Sequence, residues 1–283
     1  QVSLDHFDEL IRRDPDDVIG YLGRGWAYLR LGQLEQAISD FSWSRYLGFH
    51  APEVYAALGN ARNDLGGNPS QARVDLSQAV NIAPTNPLSH VYLGSHHSDR
   101  SEFDTALEEL DQAISLDPNL ALAFSSRGQV YSRMGQYQRA LQDLDQAIEL
   151  DPQLADAYNN RGRVYLLTGQ LDRAVQDLDR AVQLDPLFTD AYINRGQILL
   201  LENRLAAALQ DLQQAVDINE TKDEVGRFRL ESARAHYLQG AVYQGLVQPE
   251  RAARSLELSL SLNRDRDWVG QALNILQEVN KEF

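Results

Sequence analysis

Between Ala155 and Leu184 the apolar side chains recur at steps of three and four residues in two stretches, 155–167 and 171–184. That spacing lines one face of an α-helix. Gly169 stands between the stretches as a C-cap-type breaker, and Asp185-Pro186 stops the second, because proline cannot continue a helix. The pattern predicts two helices joined by a tight turn.

The same pattern recurs along the chain. Seven glycines (Gly25, Gly59, Gly94, Gly128, Gly162, Gly196 and Gly240) are each followed at nearly constant distance by an alanine, Ala37, Ala72, Ala106, Ala140, Ala174, Ala208 and Ala252. Successive alanines are 34 or 35 residues apart, except for 44 at the end. A fixed period of this size is the mark of a solenoid. One helix pair cannot bury its apolar face, so neighbours stack and stability becomes a sum of nearest-neighbour terms. Glycine inside a helix costs roughly 0.5–1 kcal/mol against alanine. Seven of them at one repeat position therefore imply close helix–helix approach. Gly32, Gly66, Gly135, Gly169 and Asn203 share the predicted turn position, where left-handed backbone is tolerated.

Residues 155–186, ADAYNNRGRVYLLTGQLDRAVQDLDRAVQLDP, resemble the tetratricopeptide repeat, a 34-residue helix–turn–helix unit. Its aromatic, glycine, aromatic, alanine, bulky, small and proline positions 4, 8, 11, 20, 24, 27 and 32 are here Tyr158, Gly162, Tyr165, Ala174, Leu178, Ala181 and Pro186. The resemblance implies an all-α fold, a right-handed α-solenoid superhelix of stacked repeats. The frame gives repeats at 18–51, 52–86, 87–120, 121–154, 155–188, 189–222 and 233–266. Residues 1–17 read as a half-repeat, with Leu4, Phe7, Leu10 and Ile11 on the face of a second helix whose first is missing. Residues 223–232 are an insertion that extends the following helix, and 267–283 form an amphipathic capping helix. Gly66-Gly67 lengthens the turn of the second repeat by one residue.

Position 7 is Arg24, Arg127, Arg161 and Arg195, and position 23 of the same repeats is Asp40, Asp143, Asp177 and Asp211. In a hairpin turning near position 15 the two lie level, which predicts structural Arg–Asp pairs between the helices A and B of each repeat. Such partly buried pairs tolerate loss of one member poorly.

Composition adds limits. No apolar run approaches the roughly 18 residues of a membrane span, so no membrane insertion is expected. The chain opens at Gln1 rather than Met, which leaves a processed start open. With no cysteine there is no disulfide or thiol chemistry, and the compartment is left open, the cytoplasm being preferred over a periplasm or lumen. A net charge of −15 argues against nucleic acid as a partner. The phosphate-loop, dinucleotide, zincin and nucleophile-elbow signatures are missing, so no enzyme activity or cofactor is expected. His90 and His97 are seven residues apart, about 10.5 Å along a helix, too far to share one tetrahedral metal. They fall at positions 4 and 11, where packing between helices is the expectation.

In the family the A helices line a concave face, and positions 2, 5, 6, 9, 12 and 13 meet ligand. By the resemblance the candidates here are Asn60, Asp64, Asp99, Gln129, Arg133, Asp156, Asn159, Asn160, Arg163, Asp190, Asn194 and Gln197. The set is rich in amides, which can both donate to and accept from an extended backbone. No window carries the carboxylate clamp of chaperone-binding members, and Asp190 would repel the carboxylate it should hold. The function implied is a non-enzymatic scaffold binding an extended segment of another protein or peptide. The alternatives are a regulatory or localisation module of a larger enzyme or membrane-anchored protein, or a self-assembling array. A homodimer through the N-terminal half-repeat is a further expectation.

Overall fold

The computed structural model describes residues 4–65, 68–222 and 229–262. Those residues hold fifteen α-helices and no strand. The chain divides into two compact units, 1–139 and 140–283. The first contains α1 (Leu4–Arg13), α2 (Val18–Arg30), α3 (Leu34–Tyr46), α4 (Pro52–Leu65), α5 (Pro69–Ile82), α6 (Pro87–Asp99), α7 (Phe103–Leu116) and α8 (Ala121–Arg133). The division falls inside α9 (Tyr137–Leu150). The second unit continues with α10 (Ala155–Leu167), α11 (Leu171–Leu184), α12 (Thr189–Leu201), α13 (Leu205–Lys222), α14 (Arg229–Gly245) and α15 (Pro249–Leu262). The two helices predicted at 155–167 and 171–184 are α10 and α11, residue for residue. Glycines 66 and 67, most of the insertion (223–228) and the predicted cap at 267–283 lie outside the described residues.

The turns show why each hairpin closes where it does. After α10, Gly169 (φ +75°) lets its own N–H reach the Leu166 carbonyl, while the Gln170 N–H reaches Tyr165. This is the Schellman arrangement that satisfies carbonyls at a helix end. The equivalent residues are all left-handed whatever their type: Gly32, Ser101, Gly135, Asn203 and Val247. Val247, at φ 57° and 84% exposed, is strained, since a branched side chain there costs of the order of 1–3 kcal/mol. Between hairpins, the carboxylates of Asp117, Asp151 and Asp185 accept from the N–H two residues on, forming the turn at each Asp-Pro. Where Asp-Pro is replaced by Asn219-Glu220, α13 runs on to Lys222. The early part of the following helix then includes the last residues of the predicted insertion, 229–232.

In most hairpins the repeated glycine sits on a buried leucine of the second helix, and in the first Gly25 sits on the buried Phe41. A Cβ built on Gly162 would lie 3.0 Å from Leu178 Cγ, and one on Gly59 would press closer still on Leu76 Cγ. Leu76, Leu110, Leu178, Leu212 and Leu256 are completely buried, as are Ala72, Ala106, Ala174, Ala208 and Ala252 one turn earlier. Within each unit the hairpins pack side by side in chain order. Successive A helices also touch one another, α4 with α6 and α6 with α8 in the first unit, α10 with α12 and α12 with α14 in the second. In the first unit α1 packs on α2, with Phe7 seated on Gly23 and Ile11 on Gly20.

The predicted Arg–Asp register is present and more elaborate than expected. Arg161 grips Asp177 with two parallel bonds, Nε to Oδ2 and Nη2 to Oδ1, both 2.7 Å. Arg195 does the same to Asp211, and Arg24 to Asp40. Each arginine also reaches the helix before its own hairpin: Arg161 bonds Asp145 of α9 at 2.7 Å, Arg195 bonds Asp179 of α11 at 2.7 Å and Arg24 bonds Asp8 of α1 at 2.6 Å. Arg127 bonds Asp111 in the same way at 2.6 Å, while its predicted partner Asp143 is on the other side of the division. The guanidinium lies between aromatic rings, 5.7 Å from Tyr158 and 6.0 Å from Tyr165 for Arg161. Hydrogen bonds donated to Asp40, Asp177 and Asp211 hold Arg24, Arg161 and Arg195 protonated even more firmly than usual.

The glycine contact generates a stability test. Gly59→Ala places a methyl group against Leu76 and within 3.0 Å of the Ala72 carbonyl. Overpacking of about 1–3 kcal/mol should exceed the roughly 1 kcal/mol gained in helix propensity. Chemical denaturation should show a net loss; a variant as stable as wild type, or more so, would remove the close approach from the account.

Candidate functional site

The A helices α4, α6 and α8 of the first unit pack in succession and carry Asn60, Asp64, Asp99, Gln129 and Arg133. Neighbouring side chains link the three helices. His96 Nδ1 donates to Asn63 Oδ1 at 2.7 Å, and Asn63 Nδ2 donates to Asp99 Oδ2 at 2.8 Å. Arg133 Nη1 reaches Ser98 Oγ at 3.1 Å and Asp99 Oδ1 at 3.4 Å, with its guanidinium 5.5 Å from the Phe103 ring. Asp99 is exposed, whereas Asn60, Asp64, Gln129 and Arg133 are half-buried. Asn60 and Gln129 make no hydrogen bond to another described residue.

The other histidines face separate partners. His90 Nδ1 lies 2.7 Å from Glu109 Oε2 and its Nε2 lies 3.0 Å from the Pro84 carbonyl. His97 Nδ1 lies 2.6 Å from Glu102 Oε2, and the hydrogen bond from His97 holds the Glu102 carboxyl below its ordinary value. His96 is fully buried, and its Nε2 has no hydrogen-bond partner. Burial, followed by His97 and Arg100, lowers its pKa.

In the second unit α10, α12 and α14 carry the remaining candidates. Asn194 is 1% exposed: its Nδ2 donates to Asn159 Oδ1 at 2.9 Å, and its Oδ1 accepts from Arg234 Nη2 at 2.9 Å. Arg234 also donates to Gln197 Oε1 at 2.8 Å. Asn160 Nδ2 donates to Asp156 Oδ2 at 3.0 Å, and Asn159 and Asn160 are both buried. The amides thus bond within and between repeats. Arg163 and Asp190 differ: both are half-buried, and neither bonds or ion-pairs with any described residue.

Two exposed apolar residues on these helices were missing from the sequence-based set. Leu167 and Leu201, the last residues of α10 and α12, are 50% and 63% exposed. They occupy position 13, where earlier repeats carry Arg30, Asp64, Asp99 and Arg133. The repeated Leu-Leu pair at 166–167 and 200–201 is the signal that could have identified them. A helix ending in two adjacent leucines turns only one of them inward.

Family models described as "Tetratricopeptide repeat" match residues 125–187, 169–223 and 6–39, and one described as "TPR repeat" matches 97–135. Together they reach more than half of the chain. No curated protein matches. Among solved structures, a tetratricopeptide repeat protein from Parabacteroides merdae is 17% identical, with a TM-score of 0.62 over 92% of this chain and 98% of that one. A chain of the APC/C hetero-tetramer Cut9–Hcn1 is 17% identical, with a TM-score of 0.75. The match covers 98% of this chain but only 52% of that one. Pseudomonas aeruginosa pilF is 21% identical, with a TM-score of 0.57 over 82% of this chain and 97% of that one. At these identities the likeness is one of fold. No described helix is long and apolar enough to cross a membrane.

The buried histidine makes stability depend on pH. Below about 6.5, the ordinary histidine value, the unfolded chain takes up a proton that folded His96, with its lowered pKa, refuses. The unfolded state then binds more protons, so stability falls as pH falls. Between pH 7 and pH 5.5 the unfolding midpoint should drop further in wild type than in His96→Gln. Identical pH dependence in the two proteins would contradict this role.

Proposed function

We propose that this chain, which belongs to the tetratricopeptide repeat family, is a non-enzymatic scaffold that holds an extended segment of a partner protein against its A helices and brings it to an assembly. Repeats of this family are in general protein–protein interaction modules. The observation that carries the finer reading is the state of Arg163 and Asp190. A half-buried charge without a partner costs more than one that is paired or fully solvated, and here two stand on a wall whose amides are bonded to one another. A ligand with charges of both signs would complete them. The same wall would serve if the chain were a regulatory or localisation module of a larger protein. Nucleic acid is a poor match for a chain of net charge −15.

Affinity capture with partners identified by mass spectrometry tests this reading. Arg163→Glu combined with Asp190→Arg should lose at least one partner that wild type retains, without a change in melting. Gln183→Arg, on the exposed side of α11, should retain it. Equal capture by all three proteins would place recognition elsewhere.

A further inference from the structure

We infer that the second unit recognises a particular kind of segment: an extended stretch carrying two bulky aliphatic side chains three residues apart, with an acidic residue beside them. This rests on the inner-wall reading above and specifies its ligand.

The inference begins with register. The Asn159–Asn194 hydrogen bond pins α10 beside α12. Counting forward at 1.5 Å per residue, Leu167 lies about 12 Å beyond Asn159, and Leu201 about 10.5 Å beyond Asn194. The two leucines therefore come level at the same edge of the wall. Packed helices have axes roughly 8–10 Å apart, and the leucines should be separated by a similar distance.

Neither leucine is needed by the core. Leu166 and Leu200, one residue earlier, already fill the apolar clusters around Leu178 and Leu212. The fold accepts arginine or aspartate at position 13, as Arg30, Asp64, Asp99 and Arg133 demonstrate. An exposed apolar pair repeated on adjacent helices is thus a property of the surface.

Charge selects the occupant. Arg163 precedes Leu167 by one helical turn on the same face of α10 and has no counter-ion among the described residues. On α12 the corresponding residue, Gln197, already accepts from Arg234. Asp190 is eleven residues, roughly 16 Å of helix, before Leu201 and lies outside this edge. Beside the two apolar contacts, Arg163 is therefore a cation with no counter-ion among the described residues. A left-handed extended segment rises about 3.1 Å per residue with three residues per turn. Side chains three apart then fall on one side at about 9 Å, matching the helix spacing, and a carboxylate next to them meets Arg163.

A phage-displayed random-peptide library selected on the full chain, followed by titration of one enriched synthetic peptide, tests this. Enriched sequences should share two aliphatic residues three apart with Asp or Glu alongside. The chosen peptide should bind Leu167→Ser/Leu201→Ser about tenfold or more weakly. Selection on Arg163→Glu should replace the acidic residue with a basic one. Both leucines are exposed, so the melting curve of the double variant should match wild type; if it does not, Leu201→Ser alone should still weaken binding. No enrichment, or enriched peptides without the aliphatic pair, would overturn the inference. So would binding unmoved by the leucine variants. If such peptides still lose affinity with Arg163→Glu/Asp190→Arg, the inner-wall reading stands and only this ligand is wrong. If neither set of changes matters, both fall.

Discussion

The buried carboxylate at position 23 of the repeat, on its second helix, is the constraint on which the stacking depends. Asp40, Asp177 and Asp211 are nearly inaccessible, and a buried unpaired charge is costly enough that each must meet a cation. Arginine meets it bidentately from the first helix, with donors remaining for a carboxylate on the hairpin before. One guanidinium therefore joins its own two helices to the B helix of the preceding hairpin, as Arg161 does with Asp177 and Asp145. Exceptions obey the same demand. The second repeat has Leu58 at position 7, and its Asp75 is met instead by Arg62 and by Arg45 at 3.0 Å. The third, which has Leu93 there, lacks the buried aspartate: its Glu109 is half-buried and hydrogen-bonded to His90.

Once the hairpins are held in register, the inner positions fall into line and their chemistry becomes interpretable. Inner positions on successive A helices come close enough for Asn159, at position 5, to bond Asn194, at position 6, and for Asn194 to bond Arg234, at position 2. Side chains chosen from the sequence as ligand contacts thereby act in part as contacts between repeats. At the inner positions of α10 and α12, what remains outward-looking is sparse: Arg163, Asp190 and the two leucines. A recognition surface of that kind is selective through a few apolar and charged points, and carries few unpaired amides.

Much of this was legible in the chain because it repeats. The glycine and alanine periods located the close approach between helices, and the Arg24/Asp40, Arg161/Asp177 and Arg195/Asp211 spacings located the pairs. The third member of each node was not recognised, since Asp145 and Asp179 lie in the previous repeat and only stacking brings them near. Amide burial was also illegible: whether Asn194 faces a ligand or a neighbouring helix depends on the distance between helices, which a period does not specify. Val247 shows tertiary demand overriding local preference, since the turn imposes left-handed backbone on a residue ill suited to it.

The central claim is that the arginine node couples the two helices of the repeats that carry it. A double-mutant cycle on Arg161 and Asp177 measures that coupling most directly. Arg161→Met and Asp177→Leu should each destabilise the protein by about 3–5 kcal/mol by stranding the other charge. The double variant should be less destabilised than the sum of the two, leaving a coupling energy of about 0.5–3 kcal/mol. The same cycle on Arg161 and Asp145, whose carboxylate side chain is 60% exposed, should give no more than about 1 kcal/mol. Simple additivity at Arg161 and Asp177 would contradict the account.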